Sequence, residues 1–218
     1  MNMKSNKIRL SALFMAVVMC FANYSFACTN FLITKGASKD GSTMVTYAAD
    51  SHTLYGELYY NRAAQYPEGT MIQVIDWDSG KPLIQIPQVA NTYTTVGNMN
   101  QWGLAIAETT YGGREELVDT TGGIDYGSLI YLTLQRAKNA REAIKQIAEF
   151  VDTYGYYSSG ESFSIIDENE VWIMELIGKG APVYNKKGKI DKRWTKGAVW
   201  VAMRIPDGYI SGHANHAR

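Results

Sequence analysis

Two helical patterns stand back to back between residues 126 and 151, with β-type runs before and after them, and that order restricts the chain to a layered α+β fold. From Tyr126 to Lys138, the residues Tyr126, Leu129, Ile130, Leu134 and Ala137 share one helical face; then Ala140, Ala143, Ile144, Ile147, Ala148 and Val151 follow at i, i+3, i+4, i+7 spacing. Asn139, followed three residues later by Glu142, is a capping signal that starts the second helix. Strand patterns precede the pair at Asn30 to Thr34, Thr43 to Ala49, Leu58 to Arg62, Met71 to Trp77, Thr92 to Asn98 and Leu104 to Thr110. Others follow at Ser162 to Ile166, Val171 to Leu176 and Ala198 to Met203. Adjacent helices do not act as crossovers between alternating parallel strands, so a doubly wound sheet is disfavoured. The first two runs, joined by the turn Lys39 to Ser42, predict a β-hairpin. The second run is apolar or small on both faces, which predicts cover from a sheet on one side and helices on the other. A chain of 218 residues suffices for one core.

Ahead of this domain, Lys4, Lys7 and Arg9 precede an apolar stretch from Leu10 to Cys20 and the small-residue pattern Ser25-Phe26-Ala27. This reads as a secretory leader over residues 1–27, cleaved after Ala27, with residues 28–218 as the mature domain of a protein exported to the periplasm or beyond. An uncleaved anchor is the alternative, because Phe21 to Phe26 lengthens the apolar stretch. Of two cysteines, Cys20 lies in the leader, so the mature chain holds Cys28 alone and forms no internal disulfide. Lys+Arg and Asp+Glu both number 21. That balance lacks the basic footprint of a nucleic-acid binder and offers no lipid-binding charge run, so the expected partner is a small molecule, with no stable membrane association.

Cleavage after Ala27 would place a free α-amine beside the Cys28 thiol. The reference pKa of an α-amine is about 7.7–8.0 and that of a thiol about 8.5, so the amine can serve as a local base and the thiolate as a nucleophile toward a carbonyl. Two other readings compete: a lipid-modified cysteine, against which the bulky Phe26 and the position of Ser25 both speak, and a buried spectator thiol.

Three blocks then carry a resemblance. Cys28-Thr29-Asn30-Phe31-Leu32 with Asp40 to Met44 and Ala49-Asp50-Ser51-His52, the stretch Asn98 to Ile106, and the stretch Trp200 to Gly208 together resemble the N-terminal-nucleophile cysteine dipeptidases. That family includes dipeptidase A-like enzymes, is related to secernins, and is more distantly related to penicillin V acylases and bile-salt hydrolases. The resemblance implies an αββα sandwich, here incomplete at its C-terminal end, hydrolysis of dipeptides or short peptides through an acyl-enzyme, and neither metal nor organic cofactor. It also implies roles for Cys28 as nucleophile, Asp50 as the acid that fixes the nucleophile and its amine, and Asn215 as an oxyanion-hole residue. In the related acylases an arginine stands three residues before this aspartate. Here the position is Tyr47, which carries no permanent positive charge. Asp76 to Gly80 reads as a turn, because Pro87 stands where a calcium loop needs a carboxylate. His213 and His216 read as surface residues, and the stretch from Ser211 onward as irregular chain.

Overall fold

The computed structural model describes residues 28–50 and 56–217; the leader read over residues 1–27, along with Ser51, His52 and Arg218, lies outside the described residues. In chain order the strands are β1 (Cys28–Ile33), β2 (Met44–Val45), β3 (Ala48–Ala49), β4 (Tyr60–Asn61), β5 (Met71–Ile75), β6 (Pro82–Pro87), β7 (Thr95–Val96), β8 (Met99–Asn100) and β9 (Ala105–Gly112). Helices α1 (Tyr126–Leu134) and α2 (Ala140–Tyr154) follow, and then β10 (Gly160–Ile166), β11 (Val171–Gly178), β12 (Ala198–Arg204) and β13 (Ile210–His213).

These strands form a seven-stranded sheet in the order β12-β11-β10-β9-β8-β7-β4, a smaller sheet in which β1 pairs with β13, β2 and β3, and the ribbon β5-β6. Alternation along β9 and β10 explains the layering. Ile106, Phe163 and Ile165 point to the helices, where they pack with Leu129, Leu132, Ile147 and Val151, all at most 2% exposed. Ala105 and Ile166 point the other way and meet Leu32 of β1, Val171, Ile173 and Ile205. The result is helices on the large sheet and the small sheet on its opposite face. Burying each such aliphatic side chain contributes about 1.5–3 kcal/mol.

The helix pair forms where its periodicity predicts, and Asn139 caps α2 by accepting the Glu142 N–H at 2.9 Å. Helix α1 stops at Leu134 rather than Lys138 because the buried Asn100 side chain donates to the carbonyls of Leu134 (2.8 Å) and Ala137 (2.7 Å). Several strand expectations need correction. Thr43 to Ala49 is broken into β2 and β3, and Met44, Tyr47, Ala48 and Ala49 are exposed rather than covered on both faces, since β2 and β3 lie at the rim of the small sheet. The Thr92 to Asn98 run gives only β7, after which Gly97, at φ +52°, turns the chain into β8. Strand β6 escaped the pattern because prolines stand at both its ends, which a two-stranded ribbon tolerates. The reading of irregular chain from Ser211 onward is corrected for Ser211 to His213, which belong to β13 and pair with β1 from Asn30↔His213 to Ile33↔Ile210, and holds for residues 214–217. The Asp76 segment is the turn it was read as, closed by Gly80 N–H to the Asp76 carbonyl at 2.9 Å.

Candidate active site

Cys28 opens β1 opposite Ala49, so Asp50 is delivered beside the thiol by register alone. Further along, β1 pairs with β2 at Leu32↔Val45. Between the two pairings Thr46 clasps Phe31 by both its N–H and its hydroxyl, each at 2.9 Å. Tyr47 follows this irregularity, and its hydroxyl donates to Glu108 Oε1 at 2.5 Å. The residue at the acylases' arginine position is therefore a neutral donor to a buried acid.

The platform under Cys28 is the edge of β9. Strand β8 pairs with β9 at Met99↔Ala105 and no further, which leaves the outward carbonyls of Ile106, Glu108 and Thr110 without a ladder. Three asparagine amides take the place of a strand: Asn98 donates to the Ile106 carbonyl (2.8 Å), Asn30 to that of Glu108 (3.1 Å) and Asn215 to that of Thr110 (2.5 Å). With its other end, Asn215 Oδ1 accepts the N–H of Cys28. The structure thus brings Cys28, Asp50 and Asn215 together, with the carbonyl of Asn215 on the Cys28 nitrogen and one of its amide hydrogens committed to Thr110.

Asn215 is held there by β13. His213, read as a surface residue, is buried, with Nδ1 at 2.9 Å from Thr109 Oγ1 and Nε2 at 2.7 Å from Ser164 Oγ. Thr109 also donates to the Ala214 carbonyl (3.1 Å), so its only hydroxyl hydrogen is used and Nδ1 is the protonated nitrogen of the pair. His216 is exposed.

Acids dominate the electrostatics. Burial pushes the Cys28 thiol above its ordinary value, and the Glu108 carboxylate adds to the rise; hydrogen bonds from the Asp50 backbone N–H and the Asn215 side chain oppose it. Burial and the same carboxylate raise the Tyr47 phenol. Glu161, fully buried, is pushed well above the usual carboxyl range first by burial and then by Glu108, to which it hydrogen-bonds. Its Oε2 accepts from Thr110 Oγ1 at 2.9 Å, while Glu161 Oε1 and Glu108 Oε2 are left without a donor. A proton kept by Glu161 supplies the donor that these two oxygens lack. Neither Glu108 nor Glu161 was singled out from sequence, although a glutamate inside the apolar run Leu104 to Thr110 was a usable signal.

A thiol, a nitrogen held by an amide, an N–H aimed at sulfur and a buried carboxylate make an arrangement suited to nucleophilic attack on a carbonyl. The model of the family described as peptidase family C69 matches residues 27–218. The chain is 27% identical over 208 residues to a protein named probable dipeptidase A from Streptococcus pyogenes serotype M18 (strain MGAS8232), covering 84% of this chain and 38% of that protein. It is 27% identical over 201 residues to a dipeptidase A of Lactobacillus helveticus, with 83% and 38% covered, and 25% identical over 207 residues to a probable dipeptidase of Latilactobacillus sakei, with 87% and 39% covered. The chain therefore spans about two-fifths of the length of these relatives.

Proposed function

This chain belongs to peptidase family C69, and on that premise we propose that it is an exported cysteine hydrolase that cleaves dipeptides or short peptides, with Cys28 as an N-terminal nucleophile. The observation that carries the reading is the Asn215 clamp on the Cys28 nitrogen, beside a thiol that also receives the Asp50 N–H. A peptide nitrogen gains nothing catalytic from such a clamp. An α-amine released by cleavage after Ala27 would be oriented by it. The helix–sheet–sheet layering supports an N-terminal-nucleophile αββα sandwich as the fold.

The reaction follows from these groups. The α-amine of Cys28 takes the thiol proton, and sulfur adds to the peptide carbonyl. The developing oxyanion is held by N–H donors, for which the two that hydrogen-bond the resting thiol, the Asp50 backbone N–H and the Asn215 side chain, are the candidates; losing one such donor costs about 2.7–4 kcal/mol. The amine then passes its proton to the leaving nitrogen as the C–N bond breaks. Water, activated by the same amine, hydrolyses the thioester and restores the thiol.

The test is the accurate mass of the N-terminal peptide of the exported protein, together with Ala-Ala hydrolysis by that protein and by its Cys28→Ala variant. The expected result is a peptide that begins at Cys28 with a free amine and takes up one alkyl group, and turnover that the substitution abolishes. A lipid mass on Cys28, a retained leader in an active protein, or unchanged turnover by Cys28→Ala would each overturn the reading.

A further inference from the structure

The Asn215 clamp lies just past the end of a strand, where backbone pairing does not hold it. The ladder between β1 and β13 stops at Asn30↔His213, so Ala214 and Asn215 continue as irregular chain. Polar side chains in the layer between the two sheets take over from the ladder. By alternation Asn30 shares a strand face with Leu32, Thr109 with Ala105 and Ser164 with Ile166, so all three point into that apolar layer, as does His213 opposite Asn30. Asn30, Thr109 and Ser164 are 0% exposed and His213 is 7% exposed, each on a different strand. Buried polar groups where aliphatic ones would pack must be hydrogen-bonded to offset their lost hydration.

Their hydrogens run from one end of the group to the other. The Asn30 amide donates to the Glu108 carbonyl and to Ser164 Oγ, both at 3.1 Å. Ser164 directs its hydroxyl hydrogen at His213 Nε2, 2.7 Å away. From the other side of the ring Nδ1–H donates to Thr109 Oγ1 at 2.9 Å, and Thr109 gives its own hydrogen to the Ala214 carbonyl at 3.1 Å. The next residue is Asn215, on the Cys28 nitrogen. The path thus starts two residues after the nucleophile and ends one residue before its clamp, with one imidazole between them. In the opposite tautomer Nδ1 would take the Thr109 hydrogen away from Ala214.

We infer that His213, protonated on Nδ1, is a positioning residue for the hydrolysis: through Thr109 and the Ala214 carbonyl it fixes Asn215 on the Cys28 nitrogen, and through Ser164 and Asn30 it fixes the strand that carries the thiol. This rests on the reading of Cys28 as the nucleophile. An amine that takes a proton from sulfur and delivers it to the leaving nitrogen needs a fixed geometry, and a misplacement of about 1 Å costs on the order of a hundredfold in rate.

The experiment pairs breaks in this path with repairs, in the exported protein. Thr109→Val keeps the volume and removes the hydroxyl, and Thr109→Ser returns it. His213→Gln reaches Ser164 but leaves Thr109 without its donor, whereas the shorter amide of His213→Asn places an N–H where Nδ1–H stood. For each protein we would measure Ala-Ala hydrolysis, unfolding free energy in urea and the pH midpoint of Cys28 alkylation by iodoacetamide. Thr109→Val and His213→Gln should lose about a hundredfold in kcat with KM little changed, and Thr109→Ser and His213→Asn should recover most of it. The two broken variants should also alkylate with a midpoint at higher pH, because the Asn215 hydrogen bond that lowers the thiol is lost. The two His213 variants each empty one ring nitrogen's bond, so a purely structural histidine would give them equal activities that follow their stabilities. That result, or full activity in Thr109→Val, overturns the inference and leaves the hydrolase reading intact. If a His213 variant does not fold, the Thr109 pair decides. A wild type that hydrolyses no Ala-Ala overturns the hydrolase reading, and the alkylation midpoints then decide alone whether the ring holds Asn215.

Discussion

Replacing Glu161 by glutamine removes one proton-binding site from the middle of the large sheet while keeping the shape of the side chain. The amide oxygen can still accept from Thr110 Oγ1, and the amide hydrogens can donate to Glu108 Oε2, where the native pair must use the proton kept by Glu161. The stability effect depends on pH, and its sign follows from the raised native pKa of Glu161. In the unfolded chain Glu161 releases its proton near the ordinary glutamate value of about 4.3; in the folded protein it keeps the proton to much higher pH. Between those two values the native state binds one proton more than the unfolded state, so wild-type stability falls by about 1.4 kcal/mol per pH unit from this group. Glu161→Gln has no such slope. Urea denaturation at pH 5, 6 and 7 should therefore show a variant-minus-wild-type difference that grows in favour of the variant by up to about 1.4 kcal/mol at each step. Parallel pH profiles for the two proteins would refute the retained proton, as would a variant that loses ground as pH rises.

Two further outcomes follow from the same geometry. Glu108→Gln removes the carboxylate charge that acts on the sulfur, while burial, the larger cause of the raised Glu161 pKa, keeps the proton on Glu161. Of the two main causes that raise the thiol only burial then remains at full strength, so the midpoint of the iodoacetamide alkylation profile of Cys28 should shift to lower pH; an unchanged midpoint would count against Glu108 as the nearby charge. Ile147→Ala, at a fully buried position of α2 in the helix–sheet core, should lower unfolding free energy by about 2–5 kcal/mol in urea while leaving turnover per folded molecule unchanged.

Much of the fold was legible because its signals are local. The helix pair carries its periodicity and its Asn139 cap within a few turns, and the long strands β9, β10, β11 and β12 carry theirs within single runs. The short strands were not legible. Pairs such as Thr95↔Asn100 exist because a neighbouring strand holds them, and two residues are too few to show a period. Strand β13 was overlooked for the same reason, with Gly212 and His213 reading as loop until β1 pairs with them.

The sequence by itself determined which chemistry was available: a single cysteine after the leader pattern, an aspartate just past the next strand run, and blocks that resemble a hydrolase family, all set by residue identity and short spacing. Only the tertiary structure decided how those groups are charged and held. Asn215 meets Cys28 across 187 residues, and Tyr47 meets Glu108 across 61. The proton kept by Glu161 has no signal in the sequence. It follows from burying two acids side by side away from water, where the second charge costs more than a proton held far above its usual pKa.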